Sequence, residues 1–418
     1  MPLDPPRVSR TLDAKTRVRG SESDVRFLHT ADWHLGRLFH GVHLTEDQAH
    51  VLDQLVALAR DAKVDAVLLA GDVFDRSLPP ADAVSLLDDV LSRLVLDVRV
   101  PVVLIAGNHD SPPRLEFASR VLREKGLHIC GEIPRAGGVG QRSVVLHDAH
   151  GPVRIHSIPY AEPPVVRERL GEDAVGDHET AMRALVGRAR RAAEGTASER
   201  AVVVAHAFVV GGRESESERP LTVGGAGTVA ASCFAGFDFV ALGHLHLPQD
   251  VSGEGGGATT LHYSGSLLKY SFAEAEHTKS VSLVELDERG ACRIERIALT
   301  PRRDVRRLVG FLREILAGPA AGECPDDYLM ITLRDRGAIL DALGKLRAVY
   351  PNVLHIERET PELPAGAEAR AARLEAGDAD LFGAFFREVT GEELTNEERQ
   401  CFVETADALR AREREAAP

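Results

Sequence analysis

The chain is poor in the residues that staple or anchor a protein. Five cysteines (Cys130, Cys233, Cys292, Cys324 and Cys401) are scattered through 418 residues with no C-x-x-C pair. That spacing excludes a disulfide framework and a thiolate zinc site, and it fits a reducing cytoplasm. Apolar runs such as 66–70 and 100–106 fall far below the roughly 20 residues of a membrane span. The first residues are polar and charged, without the apolar core of a secretion signal. A soluble, non-secreted protein with no membrane contact is expected. There is one tryptophan, and only six of the 50 cationic residues are lysine, a compositional bias that carries no function. The net charge of −14 opposes the basic excess of a protein that coats nucleic acid. It leaves room for a local basic groove or for an acidic site that needs cations.

What is present suits a globular chain: 44% hydrophobic and 27% charged residues, with a length that predicts two or three domains of roughly 150 residues. Residues 1–24, with Pro2, Pro5 and Pro6, lack periodicity and read as a disordered extension. From Val25, short apolar runs alternate with helical period. Strands are expected at 25–30, 64–70 and 100–106, with helices over 46–62 (Thr45 as N-cap) and 81–94 between them. That order implies βαβ crossovers. Further strands follow at 143–146, 153–158, 201–205, 239–242, 260–263, 280–286 and 292–298, interrupted by a helix over 177–193. The economical fold is an α/β sandwich of two mixed sheets flanked by helices, over 25–299.

After Thr300-Pro301 the texture changes. A helix over 306–316, a strand over 328–333, a helix over 338–350 and a strand over 353–357 predict a small α/β unit at 300–358. A Pro/Ala/Gly/Glu-rich linker follows at 359–379, then two helices within 380–410. Leu381, Phe382, Phe385, Phe386 and Val389 give the first of these an apolar face.

Five polar clusters each follow an expected strand: Asp32-Trp-His34, Gly71-Asp72-Val-Phe-Asp75, Gly107-Asn108-His109-Asp110, His206, and Gly243-His244-Leu-His246. Ligands of open α/β sheets gather where strands end. His34, Asp72 and Asn108 stand 38 and 36 residues apart, about one βαβ unit each. Asp32, His34, Asp72, Asn108, His206, His244 and His246 make seven candidate ligands, too many for one ion and enough for two that share a carboxylate. Mixed oxygen and imidazole donors suit Mn²⁺, Fe²⁺ or Zn²⁺. Two such ions about 3.5–4 Å apart form a clamp used in phosphoryl hydrolysis. Isolated histidines such as His29, His40, His43, His147 and His156 are read as structural or surface residues.

In this order, D-x-H, GD-x-x-D, GNHD, a lone H and GH-x-H resemble the calcineurin-like metallophosphoesterases. Phe27–Gly36, Gly71–Asp75, Ile105–Asp110, Tyr263-Ser-Gly-Ser266 and Ser271-Phe-Ala-Glu274 are similar to the branch of nuclease subunits that work with an ATPase partner. The likeness runs from about Val25 to Phe386. It implies Asp32, His34 and His246 on one metal, Asn108, His206 and His244 on the other, and Asp72 bridging.

The same resemblance implies His109 at the scissile phosphate, oriented by Asp110, with Mn²⁺ as the first candidate metal and Mg²⁺, Fe²⁺ or Zn²⁺ as alternatives. It further implies a DNA exonuclease and endonuclease of repair, recombination and replication, cytoplasmic and nucleoid-associated. Residues 300–358 would cap the site, the helices at 380–410 would dock on the coiled-coil ATPase, and helices near 46–60 and 81–94 would form a homodimer. Asp75 stands where archaeal and eukaryotic relatives carry histidine. Arg37, Arg76, Arg114 and Lys269 are candidate DNA-backbone contacts, and Trp33 is expected to pack beneath the metal loop. A small-substrate phosphoesterase is the alternative function, since this core does not fix the substrate. A scaffold that has lost its metals is a poorer one, because no ligand is missing.

Overall fold

The computed structural model describes residues 24–133, 135, 143–193, 199–218, 227–251, 259–335, 339–359 and 377–416. The extension expected over 1–24, except Asp24, and residues 360–376 of the expected linker lie outside them. The chain divides after Val305 into two compact units.

Two six-stranded sheets build the first unit. One has the order Cys292–Ala298, Ser280–Leu286, Val25–Thr30, Ala66–Ala70, Val102–Ile105, Leu127–Cys130. Its last four strands are parallel, and the two after residue 279 are antiparallel. The other has the order Gln249–Val251, Thr260–Tyr263, Phe239–Gly243, Arg200–His206, Gly151–Ile158, Ser143–Asp148. Its four inner strands are parallel and its two edges antiparallel.

Strand periodicity explains the layering. Alternate residues Phe27, Leu68, Val103, Val202, Val204, Phe239, Ala241 and Val284 form the core between the sheets. Their neighbours Val203, Ala205, Val240 and Leu242 face away and pack with Leu185, Val186 and Ala189 of the helix His178–Ala193. Leu28, Val67, Leu69, Val102 and Leu104 are also fully buried, so both faces of the first sheet are covered. Each such side chain contributes about 1.5–3 kcal/mol by leaving water.

Local departures from expectation have local causes. Thr45 begins the helix Thr45–Asp61 and does not cap it; its hydroxyl donates to Asp82 instead, at 2.8 Å. The next helix, Ala81–Ser92, runs into a π-helical turn over Arg93–Val98, which ends at Arg99 in left-handed conformation. The strands Leu127–Cys130 and Gln249–Val251, four and three residues long, are too short for a pattern to announce them.

In the second unit, which takes up the strand Val305–Gly310 from its second residue, that strand, Tyr328–Leu333 and Val353–Arg358 form a three-stranded sheet. The helix expected over 306–316 is a correction: residues 305–310 are a strand, and only Leu312–Ile315 is helical. Leu308 packs against the cluster that holds Leu329 and Ile331, and the β-branched Val305 and Val309 suit a strand better than a helix. The helix expected over 338–350 shrinks to Ala342–Arg347, capped by Asp341 at φ 50°, a conformation that no α-helix extends through. The chain closes with Asp378–Thr390 and Asn396–Ala416. Among the described residues no helix is long and apolar enough to cross a membrane.

His156 is buried beside Phe237, and neither ring nitrogen bonds to anything among the described residues. Burial, then the charge of Arg154, push its pKa down to about 4. The unfolded chain therefore binds a proton that the fold refuses, and stability is lost as pH falls from the ordinary histidine value toward 4. His156→Leu should reduce the loss measured by urea unfolding between about pH 7 and pH 5 by on the order of 1–2 kcal/mol. An identical pH dependence in the two proteins would refute this account of His156.

Candidate metal centre

The two sheets meet where their parallel strands end. His206, closing the Arg200–His206 strand, donates from Nδ1 to the Ala70 carbonyl of the other sheet at 2.9 Å. The N–H groups of Asp32 and His34 donate to Gly71 O (3.1 Å) and Asp72 O (3.0 Å), stitching the first two loops together. The His244 N–H donates to both Asp32 carboxylate oxygens, at 3.0 and 3.1 Å. These bonds hold Asp32, His34, Asp72 and His244 at φ 52°, 45°, 48° and 109°, each at a cost of about 1–3 kcal/mol. Glycine is required beside them. A Cβ at Gly107 would stand 2.1 Å from Asp72 Oδ1, and one at Gly243 would stand 1.9 Å from Ala70 O.

Asp72 lies at the middle. Its Oδ2 is 3.7 Å from His34 Nε2 and 3.7 Å from His206 Nε2. On one side His34 Nε2 meets His246 Nε2 at 3.0 Å. On the other, Asn108 Oδ1 is 2.8 Å from His206 Nε2 and 3.2 Å from His244 Nδ1. Three overlapping groups each keep their ligand atoms within 4.8 Å: Asp32, His34 and His246; His34, Asp72 and His109; Asp32, Asp72 and His206. All seven residues named from the sequence are thus brought together, and six of them are buried; Asn108 is half-buried.

The donor chemistry fits metal ions. Because His206 Nδ1 donates to a carbonyl, its neutral ring turns the Nε2 lone pair toward Asn108 Oδ1 and Asp72. Such lone pairs repel one another until a cation stands among them. Burial pushes His34, His206 and His244 below the usual imidazole range, toward the neutral, ligating form. Burial, then the Asp72 charge, push the Asp32 carboxyl well above the usual range. His34 Nδ1 is buried with no hydrogen-bond partner among the described residues, and the Asp75 carboxylate lies 3.7 Å from it. The cluster has the composition and layout of a dimetal site.

Other candidates fall differently. His109 donates from Nδ1 to the Asp75 carbonyl (2.7 Å), and its Nε2 lies 4.0 Å from Asp72 Oδ2. Asp110 does not orient it, which corrects the expectation. The Asp110 carboxylate instead accepts from the N–H groups of Val73 (3.1 Å), Phe74 (2.9 Å) and Gly107 (2.9 Å). Burial, then Asp72, push its pKa up to about 7. Lys269 is also a correction as a DNA contact: it pairs with Asp304 (2.8 Å) and donates to Ala275 O (2.6 Å). Arg37 is similarly engaged, with Asp75 at 3.1 Å and over the Tyr270 ring. Arg76 and Arg114 are exposed. Trp33 is fully buried and donates to Thr30 Oγ1 at 2.8 Å.

Several supporting residues escaped sequence reasoning. Gln48 donates to the carbonyls of Trp33 (3.1 Å) and His34 (2.8 Å), and the Tyr270 hydroxyl also donates to Trp33 O (2.5 Å). Ser217, Glu218, Glu274 and Lys279 surround His246. Glu274 lies in the quoted Ser271–Glu274 motif, the one signal that pointed this way. A single glutamine in a helix gives none.

Comparison with known proteins agrees with this geometry. A family model described as calcineurin-like phosphoesterase matches residues 25–248. The SbcD C-terminal model, described as "Type 5 capsule protein repressor C-terminal domain", matches residues 301–390. The chain is similar to SbcD, the D subunit of nuclease SbcCD, from Staphylococcus saprophyticus, with 29% identity over 92% of this chain and 98% of that protein. Among solved structures, a dimetal phosphatase from Danio rerio aligns with 15% identity and a TM-score of 0.41, over 67% of this chain and 99% of that one. The protein TT1561 of Thermus thermophilus aligns at 15% and 0.38, over 66% and 99%. Both scores are too low to add to the fold assignment.

Asp72→Ala should abolish uptake of both ions, measured as Mn²⁺ per chain after dialysis. Gly107→Ala, which leaves every ligand in place but drives a methyl into Asp72, should weaken binding by about tenfold or more. Full occupancy in the Asp72 variant would contradict the shared position of that carboxylate.

Proposed function

The chain belongs to the calcineurin-like phosphoesterase family, and from that premise we propose that it is the nuclease subunit of an SbcCD-type complex. It is a hydrolase of phosphodiester bonds, and the substrate is DNA, cut at double-strand ends and hairpins in repair, recombination and replication. One observation carries this choice over a small-substrate phosphoesterase. The likeness to the SbcD nuclease covers 92% of the chain and continues past the metal centre through residues 301–390. A stand-alone small-substrate enzyme has little use for that region.

In this reading Asp32, His34 and His246 hold one ion, Asn108, His206 and His244 the other, and Asp72 both. When bound, two divalent ions, Mn²⁺ first among the candidates, polarise the scissile phosphate and supply the activated water. The chain's own contribution centres on His109. Its Nδ1–H stays on the Asp75 carbonyl in either protonation state, so Nε2 is the nitrogen that gains and gives the proton. Its position beside Asp72 suits delivery of that proton to the departing sugar oxygen. The exposed Arg76 and Arg114 are the remaining candidates for DNA phosphate contacts.

The partner is an SbcC-type ATPase. In the C-terminal pair of helices Phe382 stacks on Phe402 at 4.0 Å, so it serves the pair itself. Phe385 and Val389, one turn apart on the first helix, are left exposed, as are Val403 and Leu409 on the second, apolar surface suited to a coiled-coil base. The segments at 300–358, 359–379 and 380–410 are proposed as cap, linker and docking segment. A homodimer through the helices near 46–60 and 81–94, and action in the cytoplasm at the nucleoid, complete the proposal.

His109→Ala should retain both ions yet cleave hairpin DNA at least about 100-fold more slowly. A metal-free variant would contradict its role. Deleting 378–418 should abolish capture of the ATPase partner while sparing Mn²⁺-dependent cleavage of single strands. Activity on bis-p-nitrophenyl phosphate with none on plasmid or hairpin DNA would favour the small-substrate alternative.

A further inference from the structure

His246 differs from His206 and His109 in what holds its far nitrogen. His206 Nδ1 and His109 Nδ1 each rest on a neutral backbone carbonyl, at 2.9 and 2.7 Å. His246 Nδ1 meets the Ser217 hydroxyl, which in turn meets Glu274 Oε1. Glu274 Oε1 itself lies 3.6 Å from His246 Nδ1. Lys279 pairs with the other oxygen, Oε2, at 2.6 Å, and both side chains are buried. Lys279 also donates to the His246 carbonyl at 2.8 Å, while Glu218 accepts the His246 N–H at 2.7 Å.

This arrangement fixes the direction of the hydrogens. A carboxylate paired with a lysine only accepts, so the Ser217 hydrogen must point at Glu274. The Ser217 lone pairs are then left to receive a hydrogen from Nδ1. A neutral His246 ring with its hydrogen on Nδ1 has its lone pair on Nε2, the atom 3.0 Å from His34 Nε2. A buried ion pair is by itself a weak stabiliser, because desolvation offsets the attraction. Here its charge sets a tautomer two bonds away.

We propose that Glu274, acting through Ser217 and balanced by Lys279, is a positioning residue that locks the tautomer and orientation of His246. It thereby sets the affinity of one metal position and not the other. The inference rests on His246 being a metal ligand. It concerns the position formed with Asp32 and His34; in the position formed by Asn108, His206 and His244, the His206 ring rests on the Ala70 carbonyl and not on this network.

Isothermal titration of metal-depleted full-length protein with Mn²⁺ tests it. Glu274→Gln replaces an obligate acceptor with an amide that can donate to Ser217 and reverse the hydrogen direction. Ser217→Ala breaks the relay without touching the ion pair, and it decides alone if the Glu274 variant fails to fold. In each folded variant one of two affinities should fall about 10–100-fold, with the other unchanged; Ser217→Ala should also retain the metal-free melting temperature, whereas Glu274→Gln, which leaves Lys279 buried without its charge partner, should lower it. Two unchanged affinities would overturn the proposal. So would equal weakening of both sites, which would make the network general scaffolding. Uptake of fewer than two ions by the unmodified protein would instead overturn the dimetal reading on which the relay depends.

Discussion

Two carboxylates buried within a few ångströms of each other are the constraint around which this molecule is arranged. Oxygens of Asp32 and Asp72 lie within 4.8 Å, where like charges repel by about 3 kcal/mol even at an effective dielectric near 20. Four imidazoles, three of which burial pushes toward the neutral form, and one amide crowd the same space. No pairing among these groups alone relieves that repulsion. Divalent cations would, and two of them would find coordination shells in the same donors.

Everything nearby is consistent with a scaffold that tolerates a destabilising centre. Residues Asp32, His34, Asp72 and His244 have left-handed backbone conformations, secured by hydrogen bonds between loops. Gly107 and Gly243 remove the side chains that would collide with Asp72 and Ala70. The expense is met by the double layer beneath, where Phe27, Leu68, Val204 and Phe239 close the space between the sheets. Cations near the centre serve it internally. Arg37 neutralises Asp75, Lys269 neutralises Asp304, and Lys279 neutralises Glu274, which leaves few of them facing outward for a phosphate backbone.

The candidate ligands were legible in the sequence because each follows a short apolar run, and strand ends in such a fold share one rim. Most sandwich strands were legible for the same reason, down to the limits of Thr260–Tyr263 and Ser280–Leu286. Adjacency misled at Asp110. It neighbours His109, yet a tight turn sends its carboxylate back to three backbone N–H groups. At 306–316 the apolar spacing fits helix and strand alike, and pairing within a sheet decided between them. Gln48, Ser217 and Lys279 were illegible because their roles exist only once distant segments meet.

Anomalous diffraction from crystals soaked in Mn²⁺ tests the central claim most directly. Two peaks are expected, both touching the Asp72 carboxylate, one also against His34 and His246 and the other against Asn108, His206 and His244. A single peak, or two that do not share Asp72, would contradict the account.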